Sequence, residues 1–203
     1  MSLKPANLSF EEAAAVPMAA VTALQGLCHH GEIRPGQRVL INGASGGIGT
    51  FAVQIAKSYG SEVTGVTSTR NIDLVGSLGA DHVIDYTTTD LFESGRRYDL
   101  ILDTIGNLSV RDLRRGLAEG GKAAVIGFTS VAKLLSVSLR GGKDIAQVAA
   151  HVTTKDLEFL ANLIEAGRVH PQIDRRYRFV ELPAAITYLE QGHARGKVVV
   201  SIA

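Results

Sequence analysis

Cysteine is nearly absent. Cys28 stands alone in 203 residues, which excludes an intrachain disulfide and any all-cysteine metal site. A lone cysteine suits a reducing compartment. An excess of one charge is missing as well. Lys and Arg number 21 against 20 Asp and Glu, and the basic residues are spread along the chain. That excludes the electrostatic footprint of a nucleic-acid or anionic-membrane binder. Long apolar runs are also lacking. The most apolar late stretch, residues 123–139, is broken by Lys133 and is too short to span a bilayer. No basic segment leading into an apolar run opens the chain. The expectation is a soluble cytoplasmic protein with neither nucleic-acid nor membrane partners. Internal repeats and low-complexity linkers are absent too, so the length suits one ordinary domain plus a small appendage.

Glycine, in contrast, is abundant. The 22 glycines sit mostly where strands should hand over to helices, which suits an α/β fold. Ser9-Phe10-Glu11-Glu12 has the pattern of a capping box, and Pro17 should kink or end the Ala-rich helix that follows. A second helix is expected over 19–29. Strands are expected over 38–41, 62–66, 82–84, 100–104 and 123–126. Helices are expected over 47–58 and 155–166, from apolar residues at helical spacing, and over 71–78, ended by Gly79, and 108–117. Residues 130–152 read as helical with a break at Gly141-Gly142. This alternation predicts βαβ units and a doubly wound parallel sheet of Rossmann type over residues 1–170. The tail, 171–203, reads as a separate small unit: an extended segment over 171–179, a helix over 181–191 and a strand over 197–202.

The stretch LINGASGGIGT, residues 40–50, runs from a strand through a glycine turn into a helix. Such a turn lets the backbone approach a pyrophosphate, while the helix start offers free amides and partial positive charge. Gly46, Gly47 and Gly49 are expected to carry that geometry, with Ala44 in place of the first glycine of a G-x-G-x-x-G frame. An NAD site places an acid at the end of the second strand, about twenty residues on, to hold the ribose hydroxyls. Here residues 65–71 read GVTSTRN, with no acid. Ser68 and Arg70 can instead hydrogen-bond a 2′-phosphate, which favours NADPH. The alternative for Arg70 is a solvated residue at a helix start.

Two oxidoreductase families write a turn of this kind. Short-chain dehydrogenases need a Tyr-x-x-x-Lys pair, yet Tyr59, Tyr86, Tyr98, Tyr177 and Tyr188 are followed four places on by Val63, Asp90, Leu102, Glu181 and Gly192. Their turn also comes near the start of the chain, whereas here two helices precede it. The other family accounts for more of the sequence. The stretches EEAAAVPMAAVTALQGL (11–27), PGQRVLINGASGGIGTFAVQIAKSYG (35–60), LGADHVIDY (78–86), YDLILDTIGN (98–107) and GHARGKVVVSI (192–202) carry the resemblance. From Leu8 onward the chain resembles the cofactor-binding half of the medium-chain dehydrogenase/reductase superfamily. It is most similar to the zinc-free quinone oxidoreductase, or zeta-crystallin-like, branch.

The resemblance implies that a catalytic domain would precede Met1, and that the tail from about Pro171 belongs to that otherwise missing domain. It places Ser45, Gly46, Gly47 and Ile48 on the pyrophosphate, Ser68 and Arg70 on the 2′-phosphate, and Tyr86 beside the adenosine. Thr22, Thr104, Gly106, Asn107, Gly127 and Phe128 would lie near the nicotinamide and its ribose, and Lys197 near the cofactor cleft. The bland readings are strand-end packing for Thr104 and Phe128, a surface-packed ring for Tyr86, and a solvated strand lysine for Lys197. No metal is expected. Zinc-dependent members carry a cysteine four residues before the Thr22 position, and here that residue is Met18, a poor zinc ligand. Cys28-His29-His30 reads as a helix terminus, and His170 and His193 as structural or surface residues.

The implied activity is hydride transfer from NADPH to a small electrophilic substrate, a quinone or an unsaturated carbonyl. The rivals are an alcohol dehydrogenase of the same superfamily and a non-catalytic NADPH-binding or interaction module. No acid–base pair is apparent, so catalytic residues stay unnamed. A homodimer through sheet-edge pairing is expected.

Overall fold

The computed structural model describes residues 2–127 and 129–202. It opens with helix α1 (Phe10–Ala14), held by the expected box: Ser9 Oγ accepts the Glu12 N–H while the Glu12 carboxylate accepts the Ser9 N–H. Pro17 begins helix α2 (Pro17–Leu24), where its missing N–H costs nothing. The helix then continues as a π-helix over Gln25–His30. A Cβ on Gly26 would stand 2.6 Å from Leu102 Cδ1, so the backbone lies directly on the sheet. The Gln25 amide leaves the helix to bond both backbone groups of His151 and the carboxylate of Asp156.

Strand β1 (Arg38–Asn42) leads into helix α3 (Gly49–Ser58), and β2 (Glu62–Thr67) into α4 (Ile72–Ser77) and β3 (His82–Asp85). The second half repeats the scheme with β4 (Tyr98–Asp103), α5 (Val110–Gly116), β5 (Leu117–Ile126), α6 (Val131–Arg140), β6 (Ile145–Val148) and α7 (Thr154–Glu165). The six strands form one parallel sheet in the order β3-β2-β1-β4-β5-β6. The order turns back at β1 and β4, and a doubly wound sheet opens its ligand crevice there.

Alternation along each strand divides the core. Val39, Ile41, Leu100 and Leu102 face the side covered by α2, α3 and α7, against Phe51, Ile55, Leu160 and Ile164. Leu40, Ile101, Ala123 and Val125 face the side of Leu113 on α5 and Val137 on α6. Burial on both faces is what makes these strands continuous apolar runs rather than alternating ones.

The strand β6 departs from the helical reading of residues 130–152. The helix does stop at the glycine pair: a Cβ on Gly141 would stand 2.5 Å from Val137 O, and Gly142 has φ +71. Beyond it, Ile145 to Val148 pair with Ala123 to Ile126 of β5. Four residues are too few to display a period, so pairing rather than pattern makes this strand.

The tail forms β7 (Ile173–Arg178), α8 (Leu182–Glu190) and β8 (Lys197–Ser201), and its two strands pair in parallel as a separate small sheet. Arg176 and Ser201 tie that sheet to Glu11 of α1. Among the described residues no helix is long and apolar enough to cross a membrane.

Candidate functional site

Parallel register brings the carboxyl ends of β1, β2 and β4 into line, with Asn42 opposite both Val66 and Asp103. The chain leaves β1 through the glycine turn. Gly43 has φ +81, and a Cβ there would meet Thr104 Oγ1 at 2.5 Å. A Cβ on Gly49 would stand 2.1 Å from the Gly43 carbonyl oxygen. These two positions admit no side chain. Gly46 is less restricted, with Gly43 O at 3.4 Å, and what a Cβ on Gly47 would first meet is the Lys197 side chain at 3.0 Å. The glycines that fix the turn are therefore Gly43 and Gly49, whereas Gly46 and Gly47 leave a cradle that a side chain would fill.

A polar cluster stands beside this turn. Thr67 Oγ1 donates to Ser45 Oγ at 2.8 Å, and Asn71 Nδ2 donates to Ser45 Oγ at 3.1 Å and to Ser68 Oγ at 3.4 Å. Ser45 thus accepts twice and keeps its own proton for another acceptor. Asn71 Oδ1 is buried with no hydrogen-bond partner among the described residues. Arg70 is exposed, and its Nη2 donates to the His193 carbonyl at 3.1 Å, which leaves its other N–H groups for a ligand.

On the other side of β1, the loop after β4 winds around a buried carboxylate. Asp103 Oδ1 accepts from Asn42 Nδ2 at 2.8 Å, Ile105 N at 3.2 Å and Gly106 N at 3.0 Å, and Oδ2 accepts from Leu108 N at 3.1 Å. Asn42 Nδ2 also donates to Asn107 Oδ1 at 2.7 Å. Thr104 Oγ1 donates to the Asn42 carbonyl at 2.7 Å.

These groups surround a cavity of about 520 Å³, closed on one side by Gly192, His193 and Ala194 of the tail. Among the described residues no carboxylate lines it. Six of the residues expected from sequence meet there: Ser45, Gly46, Ser68, Arg70, Tyr86 and Asn107. Gly47, Ile48, Thr104, Gly106 and Lys197 do not line it: Ile48 packs against the core, Thr104 and Gly106 are held by Asn42 and Asp103, and Lys197 lies where a side chain on Gly47 would point. Thr22 is buried in α2 and donates to the Met18 carbonyl at 2.6 Å. Gly127 lies beyond β5, its carbonyl accepting from Gln147 at 3.2 Å. Phe128 lies outside the described residues. The sequence reading missed Asn42, Thr67, Asn71 and His193. The first three adjoin the glycine turn and the Ser68-Arg70 segment, which was signal enough. His193 is exposed as expected, but only the folding back of the tail sets it at the cleft.

Residues 78–200 match the model of a family described as zinc-binding dehydrogenase, over more than half of the chain. The chain belongs to the medium-chain dehydrogenase/reductase superfamily, in its quinone oxidoreductase-like branch. It is 34% identical over 230 residues to mitochondrial NAD(P)H oxidoreductase RTN4IP1 of Mus musculus, covering 100% of this chain and 58% of that one. It is 36% identical over 206 residues to the chloroplastic NADPH-dependent alkenal/one oxidoreductase of Arabidopsis thaliana, covering 98% and 49%. The quinone oxidoreductase from Coxiella burnetii superposes with a TM-score of 0.89 at 29% identity, covering 98% of this chain and 63% of that one. The chain thus spans about half to two thirds of the length of these superfamily members.

The zinc of the family's description does not fit this member's residues. Among the described residues no group of three or more His, Cys, Asp or Glu could hold a metal ion. Cys28 Sγ donates to Tyr59 Oη at 3.3 Å, burial pushes its thiol pKa up, and His29 faces Asp156 at 3.5 Å.

The glycine turn yields a stability test. Gly49→Ala should cost about 1–3 kcal/mol, because the added methyl meets backbone that cannot yield. Gly46→Ala should cost less. Urea unfolding of the two variants checks the order.

Proposed function

We propose that this chain is the cofactor-binding part of an NADPH-dependent quinone or enone reductase. The observation that carries the reading is the composition of the cleft: Ser68 and Arg70 follow β2, where an NAD site would place a carboxylate, and among the described residues no carboxylate lines the wall. The names of the Arabidopsis and Coxiella relatives support the substrate class.

The cradle beside Gly46 and Gly47, the spare Ser45 proton and the unpartnered Asn71 Oδ1 fit a dinucleotide. Ser45 and the amides of the turn would hold the pyrophosphate, Ser68 and Arg70 the 2′-phosphate, Tyr86 the adenine, and Asn107 the far ribose. The bound nicotinamide would supply the hydride. The chain's own part is placement and exclusion of water. Asp103 fixes the 105–108 loop, and the tail roofs the adenosine end. The lone Cys28 supports a reducing compartment, and we propose the cytoplasm, although two of the relatives carry mitochondrial and chloroplastic names.

Calorimetric titration tests the cofactor. NADPH should bind more tightly than NADH, and Arg70→Ala should weaken NADPH about tenfold while sparing NADH. Equal losses for both would misplace the 2′-phosphate. Lys197 gives a second test. Its ammonium is half-buried beside Gly47, and burial pushes its pKa down. The unfolded chain therefore holds that proton more readily, so stability should rise with pH in the alkaline range below the ordinary lysine value. Lys197→Met should remove that slope, leave the protein at least as stable at neutral pH, and weaken NADPH. A third test concerns assembly. Among the described residues strand β6 pairs on one side, with β5, and lies at the edge of the sheet. Pairing two such edges would give a homodimer, and a pure monomer by light scattering at high concentration would rule it out.

A further inference from the structure

Helices α5 and α6 pack side by side on one face of the sheet, and the groove between them, about 370 Å³, lies apart from the cofactor cleft. Three of the residues lining it are arginines, Arg111, Arg114 and Arg140, and two are serines, Ser109 and Ser136. In a chain whose formal net charge is only +1, this is a marked local excess of positive charge. The neighbouring acids do not neutralise it. The Asp112 carboxylate is taken by the N–H and the hydroxyl of Ser109. Asp144 shares the adjacent groove with Arg114 without an ion pair between them. Among the described residues none of the three arginines pairs with a carboxylate, whereas Arg96 pairs with Glu62 and Arg115 with Asp90.

The groove is shaped as well as charged. Arg114 Nη2 donates to the Arg140 carbonyl at 2.7 Å, which holds its guanidinium across the gap between the helices. Arg111 and Arg140 are exposed, and the half-buried Ser136 hydroxyl has no bonding partner among the described residues. Like charges held this close repel one another, and a multivalent anion relieves the repulsion. Planar guanidinium forks with a hydroxyl donor between them match phosphate oxygens.

We propose that the α5–α6 groove is a second anion site, one that takes the diphosphate or polyphosphate group of a small molecule. Its size favours a small ligand over a nucleic acid or a membrane surface. Those would need a broad basic face, and Asp112 and Asp144 interrupt this one.

The test is a titration of the whole chain with inorganic pyrophosphate, followed by calorimetry and by backbone amide shifts in ¹⁵N spectra. Shifts should concentrate at Ser109, Arg111, Ser136 and Arg140. Orthophosphate should bind more weakly than pyrophosphate. Replacing Arg111 and Arg140 together by Ala should lower pyrophosphate affinity at this groove at least tenfold. If the double variant does not fold, Arg111→Ala alone serves, since that side chain is exposed and unpartnered, and a several-fold loss is expected. The proposal fails if pyrophosphate does not bind. It fails equally if the shifts cluster instead at Ser45 and Arg70, or if arginine removal has no effect. Tighter binding of a single-stranded oligonucleotide or of anionic vesicles, abolished by the same variants, would replace it with a macromolecular surface. None of these outcomes depends on NADPH binding, so failure here is distinct from failure of the cofactor reading.

Discussion

The Asp103 carboxylate is fully buried at the end of a central strand, and among the described residues no cation pairs with it. It is held by N–H groups alone, three of them from the loop that follows and one from Asn42 on the neighbouring strand. A buried charge without such donors would be prohibitively costly. With them, the cost becomes a constraint. The loop after β4 has one shape that satisfies the carboxylate, and that shape fixes one wall of the crevice. Asn42 carries the constraint across to β1 and the glycine turn.

The opposite wall depends on close approach. Gly49 packs so tightly on the Gly43 carbonyl that helix α3 starts directly against the end of β1. Two amides of that corner are already used, Ala44 N by the Val66 carbonyl and Gly46 N by the Gly43 carbonyl, which closes the turn. The tail supplies the roof. Arg70 reaches the His193 carbonyl, Lys197 lies along Gly47, and Asp174 holds the roof from behind by accepting from Arg195 N and Tyr188 Oη. The cleft is therefore built from both units of the chain, although the sheet alone sets its position.

The alternation of strands and helices was legible because the central strands β1, β4 and β5 are buried on both faces and a helix such as α7 on one. The β1–α3 corner was legible because glycine is the residue that such a corner tolerates. The missing acid after β2 was legible because absence of a residue type at a fixed spacing needs no coordinates. Strand β6 and the π-helix were not legible. Ile145 to Val148 form a strand through pairing with β5, and the π-helical stretch seats Gly26 against Leu102 while the Gln25 side chain bonds the His151 backbone and Asp156. Both depend on partners more than a hundred residues away or across the sheet.

The same division holds for the site. Local sequence determined the glycine turn, the Ser68–Arg70 segment and Tyr86, since each follows directly from a strand end. Tertiary structure decided that Asn42 and Asp103 stand side by side, that Gly43 rather than Gly47 must lack a side chain, and that His193 and Lys197 face residues of the first half. Those relations are set by parallel register and by the return of the tail, which are contacts between segments far apart in the chain. No spacing along the sequence encodes them.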